Sequence, residues 1–557
     1  MCLSCRAWWE IYILLPAYCV RPRCAPAYLP AALPSLMKTA LCFLSILLAP
    51  VLGFAQRPQP ATSPGLKKIT LLYTNDLHAH LEPQKLPAVS ETRLVGGFAN
   101  IATLVKQEKQ ANPNTLYVDA GDFFTGPYIS TLTEGAAVVD VMNYLQLDAA
   151  CIGNHEFDHG WQNVPKQFDK ATFPILNGNI FRKGTDQLLW NHPYKIIVKN
   201  GVRIGLIGLH GRFAFYDTIS DEMIQGVEAR SEETYLRRYV QELQGQTDLI
   251  VLLIHQGIPG RQSTTGTADV SRNLQKDLEL ARHVPGVDVI VTGHAHQGTR
   301  EPLEANGTLI VSTNALGTEL GRLELVYNPK TDRITSYTNA LQVVYDDVIV
   351  DDPSTVEAIT RWKAKVATIA SEPITTLTLP LTRSYGEEST LGNLVADAML
   401  EAAPEYDFAV VNSGGLRQDI AAGPVTLGNL ISAFPFLNTL VKLELKGAAV
   451  KSIFEHAATL TNGVLQVSKG VVFHYDESRS VGSRVTRLTI KGVPLDDNKT
   501  YQVLAPNFLA DGGDGYAGFK QALTKKNTGE VLVQPLKRFL QRFPSYAPAL
   551  EGRIVRQ

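Results

Sequence analysis

Ile69-Thr70-Leu71-Leu72-Tyr73-Thr74-Asn75-Asp76-Leu77-His78 decides the reading of this chain: a short apolar run without clean alternation stops abruptly in Asn, Asp and His. A run of that kind predicts a strand buried on both faces of a layered α/β sheet. The polar residues then fall at the strand's carboxyl end, the edge at which open α/β sheets build their sites.

The same pattern repeats downstream. The run at 115–118 leads into Asp119-Ala120-Gly121-Asp122, and the run at 149–152 into Gly153-Asn154-His155-Glu156. The run at 248–254 leads into His255, and the run at 287–291 into Thr292-Gly293-His294-Ala295-His296. Further runs at 203–209 and 308–311 read as strands, separated by helix-length segments at 98–110, 136–145, 232–243 and 270–281. Any one block alone reads as a turn, because Gly, Asp and Asn dominate turns for steric reasons. Five strand ends that carry Asp, Asn and five histidines call for a shared cause, and bound metal supplies it. Two cations about 3.5–4 Å apart can clamp the attacking and leaving oxygens of an in-line phosphoryl displacement. Two like charges that close need an anionic bridge, and Asp122 is the best candidate because Gly121 frees the backbone before it. Oxygen and imidazole ligands without thiolate suit zinc, manganese, iron or cobalt.

Taken in order, these blocks resemble the motifs of the calcineurin-like metallophosphoesterases. Over 67–547 the chain resembles the exported two-domain 5′-nucleotidase / UDP-sugar hydrolase family of that superfamily. The resemblance implies an α/β fold: an N-terminal layered α/β-β-sandwich metallophosphoesterase domain at 67–345, a linker helix within 346–373, and a C-terminal α+β substrate-binding domain at 374–547. It also implies that Asp76, His78, Asp122 and His296 hold one divalent metal, while Asp122, Asn154, His255 and His294 hold the other. Some family members carry Gln where His296 stands. His155, with Asp158 three residues on to orient its ring, is expected to stabilise the transition state or protonate the leaving alkoxide. His80, His159 and His210 are expected to be supporting or surface residues.

The second half changes rhythm, with helices expected at 391–402, 427–433 and 447–457, a strand at 409–411, and strands at 471–475 and 485–490. It carries Asn412-Ser413-Gly414-Gly415-Leu416-Arg417, then Phe434-Pro435-Phe436, then Asn507-Phe508-Leu509-Ala510-Asp511-Gly512-Gly513-Asp514-Gly515. Gly-rich loops let a ligand approach the backbone closely. Without a family for comparison, the two phenylalanines read as core. The resemblance makes them a base clamp: Phe436 and Phe508 stack on the base, Asp514 engages ribose hydroxyls, Asn412 approaches the base and Arg417 holds phosphate. Arg383 is the nearest candidate for a further phosphate arginine. With metals on one domain and the base pocket on the other, turnover is expected to require the domains to close and reopen about the helix at 352–369.

The 557 residues are 45% hydrophobic and 19% charged, a globular mixture, and the net charge of -2 excludes a general binder of nucleic-acid polymers. Met37-Lys38, an apolar run at 40–48 and Gly53-Phe54-Ala55 read as a signal peptide at 37–55, with 1–36 a possible upstream mis-start. Pro50 and Gly53 interrupt that run well short of the roughly 20 apolar residues that span a bilayer. No membrane anchor is therefore expected after cleavage, and the mature chain is expected in the periplasm or outside the cell. Five of the 6 cysteines precede the proposed cleavage site; Cys151 alone follows, so no internal disulfide can form.

The expected activity is hydrolysis of nucleoside 5′-monophosphates to nucleoside and phosphate by attack of a metal-bound hydroxide. The rivals on the same scaffold are a UDP-sugar or nucleotide diphosphatase, a 2′,3′-cyclic nucleotide phosphodiesterase and a thiosulfate-ester hydrolase. From another class, the rival is a nucleotide-binding or adhesion protein without catalysis. The complete ligand set speaks against that last reading, and the two aromatics speak against a sulfur substrate.

Overall fold

A computed structural model of the chain describes residues 65–258 and 270–557. The expected signal peptide at 37–55 and the segment 1–36 lie outside the described residues.

Two sheets stack face to face in the first half. In one, Lys67–Thr74 pairs in parallel with Thr115–Asp119, followed by Ala149–Cys151 and Ile175–Leu176. Glu319–Asn328 and Arg333–Val343 continue its other edge in antiparallel fashion. The second sheet runs in the order Leu303–Ala305, Thr308–Val311, Val289–His294, Leu249–Gln256, Val202–His210, Tyr194–Lys199. Strand side chains alternate in direction, and here both directions are buried. Ile69, Leu71 and Tyr73 meet Ile204, Leu206, Val251 and Leu253 between the sheets. On the outer faces, Leu72 packs with Phe98, Ile101 and Val105 of helix Phe98–Ala111, while Ile207, Leu252 and Ile290 pack with Leu236 and Leu278 of helices Glu232–Leu243 and Gln275–His283. Each fully buried side chain of this size contributes about 1.5–3 kcal/mol. The layering is therefore helix, sheet, sheet, helix, which is why these strands read as unbroken apolar runs.

One hairpin was not legible as strand. Arg333–Val343 is largely solvent-exposed and polar, so it carries no apolar period, and only its pairing with Glu319–Asn328 defines it.

The second half is α+β. A sheet ordered Leu465–Val467, Phe408–Asn412, Thr500–Pro506, Thr439–Lys446, Thr524–Val531 packs against helices Thr390–Glu401 and Gly447–Ala457. Phe408–Asn412 and Thr500–Pro506 are parallel neighbours, so their carboxyl ends deliver the Asn412–Arg417 and Phe508–Asp514 loops side by side. Helix Leu427–Ala433, closed at its start by a Thr426/Asn429 capping box, leads straight into Phe434-Pro435-Phe436.

Helix Pro353–Ala370 begins on an Asp352 cap whose side chain accepts from the Thr355 amide. Its buried residues Ala358, Ile359 and Val366 belong to the same core cluster as Phe98 and Val138. This helix is thus seated on the first half rather than free-standing, and the chain crosses to the second half after it, entering strand Pro373–Leu377. A second junction is the short helix Tyr128–Leu132. Tyr128 and Leu132 pack against the cores of both halves, the Tyr128 amide donates to Ser432 Oγ at 2.9 Å, and Thr131 Oγ1 donates to the Pro435 carbonyl at 3.1 Å.

Candidate active site

The loops after the first two parallel strands are zipped together by their backbones. The Asp76 amide donates to the Gly121 carbonyl at 2.9 Å and the His78 amide to the Asp122 carbonyl at 3.0 Å. A third loop is pressed against them so closely that a Cβ on Gly153 would lie 2.2 Å from Asp122 Oδ1. Only glycine fits there. Asp76, His78, Asp122, His294 and His296 all adopt positive φ, between 46° and 75°. Non-glycine residues persist in that region only where their surroundings hold them, and such strain gathers at functional sites.

The result is a buried knot of imidazoles and carboxylates. His78 Nε2 faces His296 Nε2 at 3.0 Å, and His296 Nε2 stands 3.3 Å from Asp76 Oδ1. His255 Nε2 lies 3.1 Å from Asp122 Oδ2, and His294 Nδ1 lies 2.9 Å from Asn154 Oδ1. Asp76, His78 and His296 form one group whose ligand atoms fall within 4.8 Å of one another; Asp122, His255 and His294 form another. Backbone carbonyls fix two of the rings: His78 Nδ1 bonds Thr125 O at 3.0 Å and His255 Nδ1 bonds Ala120 O at 2.8 Å. Second partners of this kind orient metal-ligating histidines.

These residues fit divalent cations. His294 Nε2 is buried without a hydrogen-bond partner, a costly state unless something else satisfies it. Burial holds the His78 and His294 imidazoles toward their neutral form, with His294 pushed down to about 3. Burial alone would raise the Asp76 and Asp122 carboxyls, but the surrounding histidines hold both below the usual carboxylate range. Neutral imidazole and ionised carboxylate are the ligating forms. His255 differs: burial opposes its charge, yet Asp122 and Asp76 outweigh burial and raise it to about 10. Coordination of a cation by His255 would therefore release a proton that the two carboxylates otherwise retain.

Two residues outside the expected ligand set hold this arrangement. The Glu156 carboxylate, fully buried, accepts from the amides of Asp122, Phe123 and Phe124 at 3.0 Å and of Gly153 at 2.7 Å. Stripping that acceptor would leave four buried amides unpaired, at about 1–3 kcal/mol each. Asn75 donates to Asp76 Oδ2 at 2.7 Å and to the Thr313 carbonyl at 3.0 Å, fixing Asp76 from behind. His210 is not a surface residue: it is buried, with its ring 5.7 Å from that of His255. His80 is buried too.

His155 begins a 3₁₀ turn that brings Asp158 beneath it, with Nδ1 2.7 Å from Asp158 Oδ2. Thr125 Oγ1 donates to the same carboxylate oxygen at 2.7 Å. The other ring nitrogen stands 3.9 Å from Asp122 Oδ2. Burial works against a charged His155, but Asp158 and Asp122 outweigh it and raise its pKa.

The residues singled out in the second half surround the same cavity. Asp122, Asn154, His155, Asp158, His294 and His296 line one side, with Asn412, Arg417, Phe436, Phe508 and Asp514 on the other. Arg417 Nη2 reaches to 3.4 Å from His78 Nε2, and the Phe436 ring lies 5.6 Å from that of His155. Asp514 Oδ2 accepts from Asn412 Nδ2 at 2.8 Å, so the Asn412 amide is engaged by this carboxylate. Arg383 lies apart, in a smaller cavity with His78, His80 and Arg417, and its guanidinium donates to the Arg417 carbonyl at 2.5 Å.

Both halves of the chain have counterparts among known proteins. The calcineurin-like phosphoesterase family model matches residues 69–298, and the model of the 5′-nucleotidase C-terminal domain matches residues 365–521. A snake venom 5′-nucleotidase from Naja atra is 30% identical over 549 residues, covering 88% of this chain and 99% of that protein. Human 5′-nucleotidase is 29% identical over 545 residues, covering 88% and 91% respectively. The crystal structure of a 5′-nucleotidase precursor from Thermus thermophilus matches with a TM-score of 0.75 at 30% identity, covering 88% of this chain and 99% of that one.

Proposed function

Because the chain belongs to the 5′-nucleotidase family, we propose that it hydrolyses nucleoside 5′-monophosphates to nucleoside and phosphate with two divalent cations. That it is a metal-dependent phosphomonoester hydrolase follows from the family and the phosphoesterase half. The observation that carries the nucleotide reading is one cavity lined by Asp122, His294 and His296 of the Asp/His knot together with Arg417 and the two phenylalanines.

Asp76, His78, Asp122 and His296 would hold one cation, and Asp122, Asn154, His255 and His294 the other. Bound there, the cations supply positive charge that polarises the phosphoryl group and lowers the pKa of water. The rest is the work of side chains. Arg417, within reach of His78, presents its planar fork to phosphate oxygens. Arg383 props the Arg417 backbone rather than competing for the same oxygen. Phe436 and Phe508 flank the base, and Asp514 turns toward the sugar. His155, its Nδ1 tied to Asp158, offers Nε2–H to the departing 5′-oxygen.

The first test is turnover of a panel of AMP, UDP-glucose, ADP, ATP and cyclic nucleotides, with inorganic phosphate assayed and the nucleotide products separated by chromatography. AMP is expected to be turned over, EDTA to abolish activity, and Mn²⁺ or Zn²⁺ to restore it. Turnover of UDP-glucose without AMP would overturn the monophosphate reading, and full activity in EDTA would overturn the metal reading.

Export also belongs to the proposal. Among the described residues no helix is long and apolar enough to cross a membrane, and the signal at 37–55 would deliver the chain to the periplasm or the exterior. The mature protein is expected to begin at Gln56 on N-terminal sequencing. An intact Met1 or Met37 would refute cleavage.

A further inference from the structure

Asp514 is a buried non-glycine residue at φ 55°, in a loop where Gly512, Gly513 and Gly515 surround it and stiffen nothing. A residue so strained keeps its place only if several bonds over-determine it. Three side chains do this. Asn412 holds one carboxylate oxygen, and Asn462 Nδ2 donates to the other at 2.9 Å. The third works on the backbone: His456 Nε2 lies 2.8 Å from the Asp514 carbonyl, which can only accept, so this nitrogen carries the proton.

His456 is itself held. It sits at the end of helix Gly447–Ala457, and its ring stands edge-on to Tyr516 with centroids 4.5 Å apart. A Cβ on Gly515 would come within 3.0 Å of its Cε1, so the loop is moulded directly onto the imidazole. Neither His456 nor Asn462 follows from the motif that carries Asp514, and His456 does not line the cavity.

We propose that His456 and Asn462 are positioning residues that lock the Asp514 loop, and that through Asp514 they set how strongly the enzyme reads the sugar hydroxyls of its nucleoside. The proposal rests on the nucleotide reading of the site. His456 acts from outside the cavity and Asn462 from its lining, one on the backbone and one on the carboxylate of the same residue.

Adenosine binding measured by calorimetry in EDTA tests this without turnover. His456→Leu and Asn462→Ala are each expected to weaken adenosine about tenfold, a difference of about 1.4 kcal/mol. His456→Gln, whose Nε2 can donate in the same place, is expected to restore affinity to within about threefold of the parent. The decisive comparison uses 2′,3′-dideoxyadenosine: its disadvantage against adenosine should shrink toward unity in His456→Leu and in Asn462→Ala. With AMP and restored metal, KM should rise by about the same factor while kcat stays within about twofold. If either variant weakens adenosine and the dideoxy analogue equally, the role is merely structural and the proposal fails. If the parent protein binds no adenosine at all, the nucleotide reading itself has failed. His456→Gln and Asn462→Ala keep the test open should His456→Leu not fold.

Discussion

His155→Ala is expected to lower kcat for AMP by roughly 10²–10⁴ while the protein keeps its metals. Three observations set that expectation. The ring lines the cavity beside the metal-site residues, yet its Nδ1 is committed to Asp158 at 2.7 Å. Thr125 donates to the same carboxylate oxygen, so the partner that orients the ring is itself held in place. The remaining nitrogen faces the Asp/His knot, 3.9 Å from Asp122 Oδ2. A general acid needs this: a held ring, a partner that favours its charged form, and one free N–H. Metal analysis decides between this role and coordination, since His155 also stands within ligand distance of His78 and Asp122. Cations lost along with activity would make it a ligand. Asp158→Asn should keep the ring near its place but remove the charge, giving a smaller loss than His155→Ala.

Phe436→Ala is expected to cost AMP hydrolysis roughly 5- to 150-fold in kcat/KM, the equivalent of about 1–3 kcal/mol for one stacked base. A small aryl phosphate has no base to stack and should suffer far less. Phe436 is the cleaner variant. Its ring sits in the cavity against His155, while Phe508 also packs on the second-half core and lies over Gly513, where a Cβ would meet it at 2.3 Å. Phe508→Ala should therefore show the same selectivity against AMP together with some loss of thermal stability. Equal losses on both substrates for Phe436→Ala would mean that the ring is not a base clamp.

Much of the site could be read from the chain because a parallel strand announces its own end. Asp76, Asp122, Asn154, His255 and His294 each follow an apolar run closely, and the carboxyl rim gathers them without further information. What escaped the reading depends on partners distant in sequence. Glu156 stands beside a motif histidine, but nothing local says that its carboxylate will collect amides from residues 122–124. Tyr128 and Thr131 reach Ser432 and Pro435, 304 residues on, and a spacing that long leaves no periodic trace. The helix at Pro353–Ala370 was legible as a helix from its Asp352 cap. Its attachment was not, because a face of alanine, isoleucine and valine does not say which core it covers. His456 was invisible for a related reason: its hydrogen bond is to a backbone carbonyl, which every residue possesses.

The strand Ala149–Cys151 places its cysteine, the single one among the described residues, wholly inside the layer between the two sheets. Burial pushes the thiol well above its ordinary pKa, so it stays protonated and unreactive. Among the described residues the folded chain consequently offers electrophiles and oxidants no exposed thiol to attack. Nothing short of parting the sandwich would uncover that atom, which makes it a silent witness to the integrity of the catalytic half.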